Sequence, residues 1–246
     1  MFDVHPLPLE TLVSKLNDFD PFTLVRIGDG EMFCVMGMQG ANCDGVKYNL
    51  PDLRESLSAT LIHYQQYYYC IAPKVMSRKN GTTERSVAWI EKHAPFIKWY
   101  DSETILNASV TGELKPFTQA LRKRKIMIVG PAHLRSFPLP LKVFIEIPKV
   151  NAWLLYEDIL RAVRRELYQV DTVLLCCGFV AKCLAWELHA MTKDSITVID
   201  IGSTFDYVVG IDSRSYSRNL TKEQKIRLSV LNFGISESMA QKLLGF

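Results

Sequence analysis

Four apolar runs that each lead into a glycine constrain the fold of this chain more than any other feature. The runs and their glycines are Thr23–Ile27 before Gly28, 126–129 before Gly130, 172–177 before Gly178 and 197–201 before Gly202. Continuous apolar runs of this length are typical of strands that are buried on both faces, and helical patterns separate them along the chain. The sequence therefore predicts an α/β fold with a mostly parallel sheet and helices on both faces.

The intervening segments predict the elements that complete this alternation. Strands are expected at 67–71 and 143–147. The spacing of apolar residues predicts helices at 8–17, 31–38, 51–66, 84–100, 153–168 and 180–191. Pro51 is expected at the first position of its helix, and Pro95 is expected to kink or split the helix that contains it.

Length and composition suit an ordinary globular protein. The 246 residues are 48% hydrophobic and 22% charged, which excludes a disordered chain. Because no linker stands out, we predict a single domain over 1–246, with a subdivision near 115–125 as the alternative. The formal net charge of +3 permits an anionic ligand and does not require a nucleic-acid partner.

The cysteines and the first residues indicate where such a chain resides. The six cysteines form no C-x-x-C pair, and Cys176 and Cys177 lie in a predicted buried strand, so we expect free thiols in a reducing compartment. The first residues lack the basic and apolar regions of a signal peptide, and no apolar run approaches the roughly 18 residues of a membrane span. We therefore expect a protein of the bacterial cytoplasm, or of the cytoplasm of a phage-infected host, without a membrane span.

The turn after the first of the four runs carries the sharpest chemical signal. Ligands of open α/β sheets bind outside the carboxyl ends of the strands, and Asp29 and Glu31 stand there in the sequence R-I-G-D-G-E at 26–31. Two carboxylates at this spacing can hold one hard cation, Mg²⁺ or Mn²⁺, that is shared with substrate phosphates. Gly28 and Gly30 would let a diphosphate come close to the backbone.

Two other interpretations of this turn stay open. Gly28 and Gly30 fit the start of a dinucleotide-binding fingerprint, but Phe33 replaces its third glycine. Asp29 and Glu31 would also repel a pyrophosphate unless a metal intervened, so a metal site is favoured over a dinucleotide site. A solvated turn with two surface acids is the alternative without a function.

Three segments of the chain resemble those of the GT-D type glycosyltransferases, a family first catalogued as a domain of unknown function. The segment V-R-I-G-D-G-E at 25–31 is similar to the family's R-[FY]-G-D-G-E signature, and D-I-G-S-T-F-D at 200–206 is similar to its D-[IV]-G-x-x-x-D block. The segment L-C-C-G-F-V-A-K at 175–182 is similar to the strand–glycine–helix segment before that block. The resemblance spans roughly 20–215 and is strong at these three segments. Ile27, where an aromatic residue is usual, and the cysteines before Gly178 depart from the pattern without touching the carboxylates.

The resemblance implies a Rossmann-like fold, a nucleotide-sugar donor, expected to be a UDP-sugar, and a D-x-E metal motif. That motif falls on Asp29 and Glu31, which would bind Mn²⁺ or Mg²⁺ and act in catalysis. Asp206 is the candidate on the acceptor side, as a general base, a sugar ligand or the cap of a turn. Donor contacts are expected from Arg26, Gly28, Gly30, Gly130, Gly178, Gly202 and Ser203. For Arg26, a structural salt bridge is the alternative to a phosphate contact.

The predicted function is the transfer of a sugar from a nucleotide sugar to a hydroxyl acceptor, either a glycan or, in a phage-type enzyme, a hydroxymethylated DNA base. The basic runs at 121–125 and 161–165, together with 77–79, would contact DNA phosphates in the second case and are solvated helix faces otherwise. Two further functions stay open. One is a catalytically silent nucleotide-binding module, and the other is a Rossmann-type enzyme that uses a nicotinamide or methyl-donor cofactor.

Overall fold

The structure, a computed structural model, describes residues 3–42, 45–63, 65–72, 82–193 and 195–245. The strands within these ranges are β1 (Val4–His5), β2 (Thr23–Ile27), β3 (Tyr68–Ile71), β4 (Trp99–Asp101), β5 (Ile126–Gly130), β6 (Leu141–Glu146), β7 (Thr172–Leu175) and β8 (Thr197–Asp200). They form one sheet in the order β1-β4-β3-β2-β8-β7-β5-β6, and every neighbouring pair of these described strands is parallel. The predicted α/β class with a parallel sheet is confirmed.

Helices connect the strands and cover the sheet. Those of the described ranges are α1 (Leu9–Asn17), α2 (Asp29–Val35), α3 (Leu53–Ile62), α4 (Thr82–His93), α5 (Thr104–Thr111), α6 (Lys115–Leu121), α7 (Tyr156–Glu166), α8 (Phe179–Thr192), α9 (Ser215–Arg218), α10 (Lys222–Phe233) and α11 (Glu237–Leu243). None of these described helices is both long enough and apolar enough to cross a lipid bilayer.

Two apolar layers sandwich the sheet, and alternate residues of each central strand enter opposite layers. In β7, Val173 and Leu175 belong to the apolar layer that includes residues of α2, α3, α4, α7 and α8, while Leu174 belongs to the layer that includes residues of α1, α5, α6, α10 and α11. The strands therefore need apolar residues at every position, which is why they appear in the sequence as continuous runs.

The chain order of the strands locates a ligand site at the middle of the sheet. Connections that leave β2 lead to β3 and β4 on one side, whereas β8 is reached from β7 on the other side. In open α/β sheets, such a change of direction opens a crevice at the carboxyl ends of the strands. The four glycines of the sequence pattern follow or close β2, β5, β7 and β8 at this same edge, as expected.

The structure corrects the predicted helix at 84–100. Helix α4 ends at His93, the chain turns at Pro95, and Trp99–Asp101 form strand β4. Proline removes a backbone donor and clashes with the preceding turn, so the helix stops before it. Trp99 instead pairs with Tyr69 of β3, a long-range contact that local periodicity does not reveal.

Several predicted boundaries also move. Pro51 precedes α3 instead of opening it, and α3 is shorter than the predicted 51–66. The predicted helix at 153–168 is α7 flanked by two 3-10 turns, Ala152–Leu155 and Leu167–Gln169. Strand β7 ends at Leu175, so Cys176 and Cys177 lie in the loop that leads to Gly178.

Candidate functional site

An open cleft lies at the carboxyl edge where β2, β7 and β8 end, and we call it the carboxylate cleft. It has a volume of about 340 Å³, within the range of about 300–1,000 Å³ that is usual for small-molecule sites. Eight of the predicted site residues line it, namely Arg26, Gly28, Asp29, Gly30, Glu31, Gly178, Gly202 and Ser203. The structure thus brings three segments that are far apart in the sequence to one place.

A buried lysine ties these segments together. Lys182 Nζ lies 2.7 Å from Glu31 Oε1 and 2.9 Å from Asp200 Oδ2, and it donates to the Gly178 carbonyl oxygen at 3.2 Å. The Lys182 side chain is only 6% exposed. We call Lys182, Glu31 and Asp200 the Lys182 cluster. It joins helix α8 to the turn after β2 and to the end of β8.

The lysine of this cluster stays charged. Burial opposes the charged form, but attraction from Asp200 and Glu31 outweighs burial and holds the pKa of Lys182 above its usual value. One cation between two carboxylates leaves the cluster with one net negative charge. Asp29 and Glu103 add negative charge to the cleft lining and Arg26 and Arg214 add positive charge, so the lining carries acidic and basic side chains in nearly equal number.

The two carboxylates of the D-x-E motif are held differently. Glu31 is largely buried; its second oxygen, Oε2, accepts a hydrogen bond from the Gly28 backbone N–H at 2.9 Å. Asp29 is half-buried on the cleft wall, and its Oδ1 accepts from the Gly30 N–H at 2.9 Å. Asp29 is therefore the more accessible of the two to a ligand in the cleft.

Arg26 fixes the loop that follows β8. Its backbone N–H donates to Asp200 Oδ2 at 3.1 Å, and its Nη1 donates to the Ile201 carbonyl oxygen at 2.6 Å and to Thr204 Oγ1 at 3.1 Å. Its buried Nε has no hydrogen-bond partner among the described residues. Ser203, in the same loop, accepts from the Tyr216 hydroxyl through its carbonyl oxygen at 2.6 Å. The Arg26 side chain thus bonds backbone and hydroxyl oxygens, and the salt-bridge alternative is not observed among the described contacts.

Two of the four glycines are favoured by backbone conformation, and the other two lie where a side chain would be crowded. Gly178 and Gly202 have φ of +58° and +57°, a region that residues with a side chain seldom adopt. A Cβ at Gly28 would lie 3.0 Å from Glu31 Oε2, and one at Gly130 would lie 2.9 Å from Leu134 Cδ1. Gly130 does not line the carboxylate cleft, so the close packing against Leu134 explains why a glycine stands there.

A second hollow adjoins the carboxylate cleft and contains Asp206. It is lined by residues that follow β5, β6, β7 and β8, and it shares Gly178, Gly202, Ser203 and Arg214 with the cleft. His133 Nε2 lies 3.3 Å from Asp206 Oδ1. The structure therefore separates Asp206 from Asp29 and Glu31 into a neighbouring compartment.

Sequence reasoning missed the partners of these residues. The sequence places Lys182 and His133 close to predicted strand ends without indicating their partners, and no sequence signal indicates Arg214. The spacing of four residues between Gly178 and Lys182 is the one available signal, because it places the lysine in the first turns of a helix that begins at this edge.

The basic run at 121–125 lies at the opposite, amino end of the strands, immediately before β5. Arg122 donates to the carbonyl oxygens of Pro138 and Phe233, and Arg124 is buried against Asp171 at 2.9 Å. The run at 161–165 lies on α7, where its arginines pair with surface carboxylates. The run at 77–79 lies outside the described residues.

Within the part of the chain that the structure describes, no group of three or more histidine, cysteine or acidic side chains is placed to hold a metal ion. The described cysteines are free thiols, namely Cys34, Cys70, Cys176, Cys177 and Cys183.

The fold matches proteins of known structure. No protein-family model and no curated relative matches the chain. A structure described as a new glycosyltransferase (DUF1792) from Streptococcus sanguinis is 19% identical, with a TM-score of 0.60 over 83% of this chain and 84% of that one. A selenomethionine structure of the domain of unknown function 1792 is 17% identical, with a TM-score of 0.57 over 83% and 81%.

A third structure reports that this highly conserved domain has a distinct glycosyltransferase fold. It is 17% identical, with a TM-score of 0.53 over 83% of this chain and 81% of that one. The TM-scores show that this chain and the three structures share a fold, and at identities this low the comparison shows the fold alone. The fold that the resemblance to the GT-D family implies is therefore confirmed.

Proposed function

We propose that the protein is a metal-dependent glycosyltransferase that moves a sugar from a nucleotide-sugar donor to a hydroxyl acceptor. The observation that carries the proposal is the carboxylate cleft, where Asp29 and Glu31 of the D-x-E motif meet the glycine-rich ends of β7 and β8. The shared fold with structures described as glycosyltransferases supports the same reaction class. A UDP-sugar is the donor we would test first.

The donor atoms of the cleft suit Mn²⁺ or Mg²⁺. Such ions take oxygen ligands, keep several waters and are commonly held by one or two carboxylates together with substrate phosphates. Asp29 and Glu31 would hold the ion, Asp29 directly and Glu31, whose two oxygens already contact Lys182 Nζ and Gly28 N–H, through a bound water. When bound, the ion neutralises the charge that develops on a departing nucleoside diphosphate.

The residues around the carboxylates suit a diphosphate. Helix α8 begins at Phe179 directly after Gly178, so the N–H groups that open its first turn lie at the cleft and can donate to phosphate oxygens, whereas Ala181 N–H already donates to the Gly178 carbonyl oxygen. Gly28, Gly30, Gly202 and Ser203 add backbone that a phosphate can approach closely. Arg26 contributes a positive charge on the same wall.

The second hollow suits the acceptor, and Asp206 is the proposed general base. Of the two acceptor classes, the contacts favour a glycan over a DNA base. Arg122 and Arg124 are engaged within the fold, and they lie at the end of the sheet opposite the cleft, so they are not available to follow a DNA backbone toward the site. We place the reaction in the cytoplasm, consistent with the free thiols of the described cysteines.

A donor screen tests the proposal. Thermal shift with nucleotide sugars, with and without Mn²⁺, identifies the donor, and release of the nucleoside diphosphate then measures turnover. We expect ion-dependent turnover that is lost in excess chelator and in Asp29→Asn, while Glu55→Gln, which alters an exposed carboxylate on α3, keeps wild-type turnover. Binding without turnover would favour the silent nucleotide-binding module. Binding of a nicotinamide or methyl-donor cofactor in place of nucleotide sugars would favour the third class.

A further inference from the structure

The second hollow holds a polar pair that the metal chemistry does not use. His133 lies in the 3-10 turn Ala132–Ser136 after β5, and Asp206 opens the 3-10 turn Asp206–Val209 after β8. Two strand-end turns that are not neighbours in the sequence thus place an imidazole and a carboxylate side by side. The Asp206 residue is 6% exposed, and the His133 side chain is 18% exposed.

His133 is the hydrogen-bond donor of this pair, and Asp206 is the acceptor. His133 Nε2 and Asp206 Oδ1 are 3.3 Å apart, and because a carboxylate only accepts hydrogen bonds, the ring nitrogen is the donor. This contact occupies Oδ1. Since Asp206 lines the second hollow, its other oxygen, Oδ2, is left to accept from a group bound there.

We propose that the second hollow is the acceptor subsite and that it takes the reacting hydroxyl of a carbohydrate, with His133 as the residue that positions Asp206. The proposal rests on the proposed function and extends it to the acceptor. The hollow shares its wall of Gly178, Gly202 and Ser203 with the carboxylate cleft. A hydroxyl bound in the second hollow is therefore adjacent to a sugar whose diphosphate occupies the cleft.

In the proposed reaction, Asp206 accepts the proton of the acceptor hydroxyl. The acceptor O–H bond breaks and its proton moves to Asp206 Oδ2, while the acceptor oxygen forms the new bond to the anomeric carbon of the donor. The bond from that carbon to the diphosphate oxygen breaks, and its electron pair leaves with the diphosphate. Asp206 then releases the proton to solvent. The hydrogen bond from His133 keeps Oδ2 directed at the hydroxyl, as supporting hydrogen bonds do for other reactive groups.

The walls indicate a carbohydrate. The hollow measures about 100 Å³ and is mainly apolar, with Pro131, Ile147, Pro148 and Trp153 among its lining residues. Asn151 and Lys149 add polar groups at the same wall. A hollow of this size is below the range of about 300–1,000 Å³ that is usual for small-molecule sites, so it can take the part of one sugar ring that carries the reacting hydroxyl, and not an oligosaccharide chain.

Nuclear magnetic resonance of the histidine rings provides a test that needs no known donor. The chain has five histidines, and the signals of His133 are identified by their absence in His133→Gln. Titration uses the methyl glycosides of glucose, galactose, N-acetylglucosamine and rhamnose, followed separately by UDP with Mn²⁺. We expect at least one glycoside to shift the His133 ring signals, with His63, exposed at the end of α3, as the unaffected control. If UDP shifts them and no glycoside does, the hollow belongs to the nucleotide and the inference is wrong.

Kinetics with the responding glycoside separate positioning from folding. We expect Asp206→Asn to lower kcat by about 10²- to 10⁴-fold, the usual contribution of a general base. We expect His133→Leu to lower kcat by about 10- to 100-fold at unchanged KM for the donor, and His133→Gln, whose amide can still donate, to recover most of it. Equal kcat in wild type and His133→Leu would overturn the role of His133. Absence of binding and turnover with every nucleotide sugar of the donor screen, in the wild type, would instead overturn the proposed function itself.

Discussion

Replacing Lys182 with methionine tests whether the Lys182 cluster organises the site. The change removes the ammonium group that contacts Glu31 at 2.7 Å and Asp200 at 2.9 Å, and it leaves both carboxylates in buried positions. Removing one partner of a buried ion pair destabilises a protein by about 3–5 kcal/mol. Glu31 keeps its bond from Gly28 N–H and Asp200 keeps its bond from Arg26 N–H, so we expect the lower half of that range. For a protein of this length, that corresponds to a loss of roughly 6–16 °C in Tm.

Urea denaturation followed by circular dichroism measures this effect. The matched control is Lys142→Met, which changes an exposed lysine on β6 and should alter the free energy of unfolding by less than about 0.5 kcal/mol. The double variant Lys182→Met/Asp200→Asn should recover part of the loss, since it removes one of the two uncompensated charges.

The penalty in Lys182→Met should also shrink as pH falls, because a buried carboxylate that has lost its cation takes up a proton more readily in the folded state than in the unfolded chain. A loss in Lys182→Met no larger than that of Lys142→Met would refute the reasoning. So would a penalty that grows on acidification.

Two further predictions concern residues outside the cleft. Arg124→Met should lower the free energy of unfolding by about 1–3 kcal/mol, since it removes the bonds of the buried guanidinium to Asp171 and to the Leu16 carbonyl oxygen, and it should leave nucleotide binding unchanged; urea denaturation and calorimetric titration check both parts. A weakened affinity for duplex DNA at unchanged stability would instead restore the phosphate-tracking interpretation of that basic run. Cys34 and Cys183 should resist iodoacetamide at pH 8 in the native protein and react after unfolding, because burial raises the pKa of Cys34 to about 11 and that of Cys183 to about 12. Mass spectrometry of the modified peptides measures this, and rapid native labelling of either thiol would contradict the burial.

The central strands could be predicted from the sequence because strands that are buried on both faces consist of continuous apolar runs. Strands β2 and β5 start where the sequence indicates, and the glycines after them mark the edge of the sheet. Strands β1 and β4, at one side of the sheet, could not be found in this way. Strand β4 has three residues and β1 has two, so neither is long enough to carry a pattern, and pairing with β3 and β4 decides their conformation.

The same contrast holds for the candidate site. Asp29 and Glu31 are adjacent to a strand end in the sequence, so their location followed from local signals. Lys182 meets Glu31 only because β8 lies between β2 and β7, and this order of strands is a property of the whole sheet. The contact between His133 and Asp206 likewise joins turns that are 73 residues apart. Such partners emerge from tertiary packing, which a single sequence does not record.

The most direct test of the proposed chemistry is the affinity for UDP measured by calorimetric titration with and without Mn²⁺. Asp29 lies on the wall of the carboxylate cleft, so an ion that it holds should bridge the protein to the diphosphate. We expect Mn²⁺ to strengthen UDP binding at least about tenfold in the wild type, equivalent to about 1.4 kcal/mol, and to have no such effect in Asp29→Asn. UDP binding that is equally tight with and without Mn²⁺, in both the wild type and Asp29→Asn, would contradict a metal-dependent donor site in this cleft.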